Sequence, residues 1–302
     1  MRAARVVFSA LALVVPAAGQ APAQSWVQPK GSLYLKTSVH VLYTEDEFDF
    51  RGERQEIFTE DATRSNTSFH NVAVTEYVEY GISNRLTLVS RLAFVITATR
   101  ETLTPLPGAA PRRITRRNTG LGDAAFILRT PLLRRPVAVA LQAGVKVPLG
   151  YDRLPDNDGP SPGTGRVDGE VQLNAGWSLF PTPAYLSLGG GYRRRGGELH
   201  DEVIYNVEAG YQAARLFLKV RLDGLQNTKD PPDVAGATIV TPLPGGVLNQ
   251  VIVGDQDILK LSLETSVAMN ERVSLSAEAF HTLAGKDTVA GTTYSLAVVY
   301  FR

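Results

Sequence analysis

From residue 33 to the end, apolar and polar side chains alternate with a period of two, segment after segment. Val137, Val139, Leu141, Ala143, Val145 and Val147 form one unbroken apolar row, opposed by Ala138, Gln142, Gly144 and Lys146. Such alternation predicts a strand with one greasy and one wet face. Leu33, Leu35, Val39, Val41 and Tyr43 oppose Tyr34, Lys36, Ser38 and His40 in the same way. Leu86, Leu88, Leu92, Phe94 and Ile96 do so against Arg85, Thr87 and Arg91, and the split recurs in residues 167–179, 203–211, 216–222 and 259–269. About twelve such segments of roughly nine to thirteen residues are present, the span of tilted transmembrane strands. One segment breaks the rule. In residues 69–80, Glu76 shares a face with Val72, Val74, Val78 and Tyr80, and a one-residue bulge would return it to the polar side.

The connections alternate in length. Short ones fall at residues 81–84, 131–136, 180–184, 213–215 and 270–272. Long polar ones fall at 45–67, 98–119, 149–166 and 224–256, with shorter members near 194–202 and 284–291. Tight turns on one rim and long loops on the other are the plan of an outer-membrane barrel, in which the tight turns are periplasmic. An even strand number then places both termini in the periplasm. A soluble sandwich also alternates, but its apolar faces meet each other and its turns need not sort by length. Aromatic residues agree with the barrel: Tyr80, Trp177, Tyr211 and Tyr300 fall near one end of the apolar rows, and Tyr43, Phe94, Tyr192 and Tyr205 near the other.

Composition narrows the chemistry. The 302 residues carry a formal net charge of +1 and no cysteine, which excludes disulfides, thiolate catalysis and cysteine metal sites and gives no reason to expect nucleic acid. Arg2 and Arg5 precede a short apolar run at residues 6–15, which breaks at Pro16 and leads to small residues at Ala21 and Ala23. This predicts a signal peptide at 1–23, cut after Ala23, and an outer-membrane barrel domain at 24–302. The eight residues 24–31 leave no room for a plug domain and show no evident hatch, so transport is expected to be passive.

Several phrases also resemble a family. EYGISNRLTL (79–88), TGLGD (119–123), GVKVPLG (144–150), GTGRVDGEVQLNAG (163–176) and the ending GKDTVAGTTYSLAVVYF are similar to recurring strand and turn phrases of the outer-membrane family labelled "MetA-pathway of phenol degradation", transporter-like barrels. The resemblance covers most of the mature chain and mainly concerns barrel turns. It implies passage of small, often aromatic or apolar, compounds. Such barrels commonly end on an aromatic residue recognised by the barrel-assembly machinery; here Arg302 follows Phe301.

The wet rows define candidate lumen positions: Lys36, His40, Arg91, Asp123, Arg129, Lys146, Glu170, Glu208, Lys219, Arg221, Lys260, Glu264 and Glu278. One reading is a salt-bridged filling, the other a polar conduit whose charges set selectivity. Glu264 and Glu278 are expected to lie directly across from each other, relieved by a neighbouring lysine or arginine. The glycines of GLGD before Asp123 suggest a tight bend. At the mouth, residues 45–61 are acidic, whereas residues 98–119 carry Arg100, Arg112, Arg113, Arg116 and Arg117. The two loops are expected to fold toward each other, or the arginines to meet lipopolysaccharide phosphates. His40 and His70, near the top of one hairpin, are the only arrangement that suggests a metal or base site, and no catalytic triad spacing is evident. Residues 224–256 either narrow the lumen or form a hairpin outside the membrane.

The expected fold is therefore an all-β, transmembrane, antiparallel up-and-down barrel of about twelve strands. The expected function is a passive channel or facilitator for small molecules, without cofactor or metal, in contact with outer-membrane lipid and lipopolysaccharide. A sealed barrel acting through its loops and a lipid-acting barrel enzyme are the alternatives.

Overall fold

The computed structural model describes residues 24–59, 63–104, 110–197, 199–229 and 255–302. The alternating segments become strands. The first hairpin and its cap comprise β1 (Leu33–Thr44), β2 (Asp46–Phe48), β3 (Arg54–Glu56), β4 (Arg64–Ser83) and β5 (Leu86–Leu103). Next come β6 (Arg112–Leu121), β7 (Asp123–Leu133), β8 (Ala138–Pro148), β9 (Asp168–Ser178) and β10 (Ala184–Arg194). The chain ends with β11 (Glu202–Ala213), β12 (Leu216–Asn227), β13 (Asp257–Ala268), β14 (Val273–Lys286), β15 (Thr288–Ala290) and β16 (Thr292–Phe301).

Every long strand pairs antiparallel with its neighbour, and β16 returns to β1 with Tyr34 opposite Phe301. The large sheet has 13 segments, of which β6 and β7 are halves of one strand, so the wall is a closed ring of twelve strands. Closure pairs backbone groups around the circumference, the condition for a sheet to sit in hydrocarbon. The burial pattern is that of an inverted core. Val39, Val41, Leu128, Leu173, Val220 and Leu263 point outward and are exposed, while Ser38, Asn174, Glu208 and Ser262 point inward and are buried. Tyr80 and Tyr211 stand exposed on the outer face near one rim and Tyr43, Phe94, Tyr192 and Tyr205 toward the other, as two interfacial belts.

The rims differ as the connection lengths predicted. Tight turns join β4 to β5, β7 to β8, β9 to β10, β11 to β12 and β13 to β14 at one rim. The start of β1 and the end of β16 meet there too, with the Leu33 amide donating to the Arg302 carbonyl at 2.8 Å. At the long-loop rim β4 and β5, 20 and 18 residues long, run on past the ring together with β6. The acidic connection and the segment after β14 form a small sheet in the order β15, β2, β3, and Ile57 and Phe69 are buried nearby against the partly buried Leu42, Phe58 and Val289. Residues 230–254, most of the 224–256 loop, lie outside the described residues, and so do 105–109.

Two local irregularities decide which side chains enter the lumen. Phe94 opposes Leu121 but Arg91 opposes Ala125, so the register slips by one residue across Gly122. This bulge turns Asp123 inward, and a Cβ at Gly122 would lie 3.1 Å from the Pro162 carbonyl oxygen. At Glu76 no bulge exists. The register from Leu33 opposite Tyr80 to Thr44 opposite Phe69 is unbroken, so Glu76 stays on the lipid face. Its register partner Thr37 supplies the missing polar contact, donating from Oγ1 at 2.9 and 3.2 Å to the two carboxylate oxygens.

Thr37→Val is expected to lower unfolding stability in vesicles by about 1–3 kcal/mol, because it strips the only side-chain donor described at Glu76. Glu76→Leu is expected to raise it by about 1 kcal/mol, having removed a carboxylate from the lipid face. The cap sheet predicts a pH effect. Burial raises the proton affinity of Glu47, and burial with Asp49 and Asp257 nearby raises that of Asp287. Both groups therefore take up protons more readily folded than unfolded, and cap stability rises as pH falls through the raised values and is lost above them. Amide exchange across 46–57, corrected for its intrinsic rate, should be slower at pH 5 than at pH 7.5.

Candidate functional site

The inner face is built in layers. Nearest the short-turn rim, residues 24–29 enter the ring instead of lying outside it. Ser25 Oγ is 2.8 Å from Ser187 Oγ. The Gln28 amide donates to Thr87 Oγ1 at 2.8 Å, and its side chain donates to Glu79 at 2.9 Å. Arg129 donates to the Trp26 carbonyl at 3.0 Å, and Gln142 to that of Gln24 at 3.3 Å. The Trp26 ring meets Tyr185 edge-on at 5.7 Å, and Tyr185 stacks at 6.4 Å on Phe217. Gly176 makes this possible, since a Cβ there would fall 2.5 Å from the indole. The expectation of no evident hatch is thus corrected: six residues suffice as a floor when the lumen offers them donors in Arg129 and Gln142 and acceptors in Thr87 and Glu79.

Glu79 and Arg129 anchor this floor. They pair at 3.0 Å with 1% and 0% of their side chains exposed, and the Tyr77 hydroxyl also donates to Glu79. Above them Glu264 does lie opposite Glu278, and Lys36 reaches both, at 2.8 and 3.4 Å. Lys219 closes on Glu264 at 2.5 Å, and Ser276 donates to it at 2.6 Å. Arg221 holds Asp223 at 2.5 Å and lies 3.6 Å from Glu208, which also accepts from Tyr185 at 2.6 Å. Like charges on neighbouring strands are thus each given a cation, which is what permits them to share a wall of low dielectric.

Toward the long-loop rim Arg193 bridges Glu170 at 3.0 Å and Glu202 at 2.8 Å. Lys146 bridges Asp168 at 2.7 Å and Asp123 at 3.0 Å. The bulged Asp123 also accepts from the Tyr151 hydroxyl and from Thr164, and so ties the 149–167 loop down against the inner wall. Between these layers lies a cavity of about 550 Å³ lined by Lys36, His40, Arg91, Glu208, Lys219, Arg221, Lys260 and Glu278 from the sequence reading. It is also lined by Tyr34, Tyr77, Glu79, Arg193, Phe280 and an aliphatic patch. Glu264 and Arg129 are buried beside it, while Asp123, Lys146 and Glu170 belong to the ion pairs that fasten the loops above.

Other expectations at the mouth change. His40 faces the lumen, its Nε2 2.8 Å from Thr75 Oγ1, whereas His70 lies on the outer face with its ring 4.7 Å from Tyr43. The two histidines are on opposite sides of the wall, so the metal or base site they suggested does not form. Among the described residues no ion pair joins the acids of the first loop to the arginines of the second. Asp46 pairs within its own loop with Arg54 at 2.6 Å. Instead Arg116 turns inward to Glu101, which Arg64 also approaches at 3.4 Å. Arg113 and Arg117 share the outward face of β6 with Leu121 and, like Arg112, are exposed. Glu79, Arg193 and Asp168 were absent from the sequence candidates although all stand on wet rows; Trp26 and Gln28 carry no periodic signal at all.

No family model and no curated protein matches the chain. Among solved structures, the chain is similar to the COG4313 outer membrane channel from Pseudomonas putida F1, at 13% identity and TM-score 0.64, over 93% of this chain and 99% of that one. Matches to the NanC porin (8% identity, TM-score 0.46, 89% and 99% covered) and the Ralstonia pickettii toluene transporter TbuX (8%, 0.43, 90% and 90%) are looser. The first likeness shows a shared barrel fold.

Arg129→Met should destabilise the barrel by about 3–5 kcal/mol, since it strands the Glu79 charge in the wall. The double variant with Glu79→Gln should recover most of that loss. Urea unfolding in lipid, with the four members of the mutant cycle compared, checks both.

Proposed function

We propose that the protein is a passive outer-membrane facilitator for small molecules, with the short-turn rim and both termini in the periplasm. The observation that carries this reading is a cavity of about 550 Å³ inside a ring whose outer face is apolar. A ring that served only as a membrane anchor needs no such space, and the volume falls in the range of small-molecule sites. The fold shared with an outer membrane channel supports the reading. The phenol-degradation family that the turn phrases resemble suggests aromatic or apolar solutes.

In this reading residues 24–29 are the resistance of the path. They are held by side-chain contacts at single points and not by a strand ladder, so their release opens the floor without breaking the ring. No energy source is needed beyond a concentration gradient. The lipid contact is the apolar band, and Arg113 and Arg117 stand on the same outward face beyond it, where lipopolysaccharide phosphates would lie.

Single barrels in a planar bilayer should conduct small ions weakly, and a variant lacking residues 24–29 should conduct several-fold more. Liposomes that contain the barrel should swell in small aromatic solutes. A barrel silent in both assays, with and without the segment, is the sealed, loop-presenting alternative, and the proposal falls.

A further inference from the structure

Most of the charges around the cavity are paired, but not all. Its lining cations are Lys36, Arg91, Arg193, Lys219, Arg221 and Lys260, and its lining carboxylates are Glu79, Glu208, Asp223 and Glu278. Lys36 and Lys219 are held by Glu264 and Glu278, Arg221 by Asp223 and Glu208, and Arg193 by Glu170 and Glu202; Glu79 is held by Arg129. Lys260 and Arg91 remain, and among the described residues neither has a carboxylate within ion-pair distance. Each rests on a ring instead: Lys260 Nζ is 5.8 Å from the centroid of Phe280, and the Arg91 guanidinium is 5.7 Å from that of Tyr77.

The surroundings of Lys260 are particular. Its register partner Asp223 is already claimed by Arg221, through two guanidinium nitrogens at 2.8 and 2.5 Å. Two residues along β13, Ile258 opposes Leu225, which opposes Ile204 on the next strand, so three aliphatic side chains make a continuous apolar row on the inner face. Phe280, whose ring also lies 5.9 Å from that of His40, bounds the other side. A polar lumen therefore contains an apolar patch, and an ammonium that forms no ion pair among the described residues stands in it. Partly desolvated cations gain most from an incoming anion, and apolar walls gain from an uncharged body attached to it.

We propose that this patch is a binding site for an organic monocarboxylate with an apolar body, its carboxylate on Lys260 and its body against Phe280 and the Ile204, Leu225 and Ile258 row. Arg91, on the opposite arc of the wall, attracts the same charge. The inference rests on the facilitator reading and narrows its solute class. Neutral aromatics meet the apolar row without the charge; inorganic anions meet the charge without the row; organic cations meet the like charge of the Lys260 ammonium at the row.

Calorimetry on the purified barrel in detergent, with benzoate, benzyl alcohol, acetate and benzylammonium as probes, tests the site independently of passage. Benzoate should bind at least about tenfold tighter than the other three. Lys260→Met should lose about tenfold to a hundredfold of benzoate affinity, and Lys260→Arg should keep most of it. Ile204→Ser should weaken benzoate and leave acetate unchanged, which keeps the proposal testable if the Lys260→Met barrel does not fold. Equal binding of benzoate and benzyl alcohol, or benzoate binding indifferent to both substitutions, overturns the site even if liposome swelling shows passage. Benzoate binding that needs Lys260 in a barrel that passes no solute upholds the site and rejects the facilitator.

Discussion

Everything in this molecule follows from the need to pair backbone groups where no water is available. An open sheet would leave an edge of N–H and C=O groups in hydrocarbon, so the pairing of β1 with β16 is the contact on which the rest depends. Once the ring closes, period-two alternation assigns every side chain to lipid or lumen. The apolar rows gain nothing from meeting one another and need only face outward. Glu76, a carboxylate on the outward face, is tolerated because Thr37 stands beside it in register and meets both of its oxygens.

Closure in turn creates the problem that the interior solves. Twelve wet rows crowd acids and bases into a narrow space of low dielectric, where unpaired charge is costly. The answer is layered. Arg129 and Glu79 are sealed at the floor, Lys36 and Lys219 share Glu264 above them, and Lys146 and Arg193 clamp the loop ends near the opposite rim. Each cluster crosses several strands, so the same pairs that neutralise the charge also fix the ring's cross-section. Against that background Lys260 and Arg91 stand out as the lining cations that rest on rings and form no ion pair among the described residues.

The floor shows how a short chain segment obtains structure from its surroundings. Residues 24–29 have no ladder of their own, yet their carbonyls are met by Arg129 and Gln142 and their side chains by Glu79 and Ser187. Trp26 is seated because Gly176 offers no side chain and Tyr185 offers a ring edge. Gly176 is thus a packing requirement of a residue 150 positions earlier (Trp26 to Gly176).

Read alone, the sequence determined the twelve-stranded wall, the sorting of turns and loops to opposite rims, the outward aromatic belts and the opposition of Glu264 to Glu278. Each of these follows from local periodicity, which the strand geometry converts directly into faces and register. Tertiary structure decided the rest: that Glu76 keeps its lipid position without a bulge, that His40 and His70 are divided by the wall, that Arg116 turns in to Glu101, and that residues 24–29 fill the floor. It also decided which charges find partners, because a register reaches only the adjacent strand, whereas Lys36 and Glu264, 228 positions apart, meet only when the ring is closed. Alternation fixes the side of the wall on which a residue stands; what it touches there depends on curvature, bulges and the chain threaded through the middle.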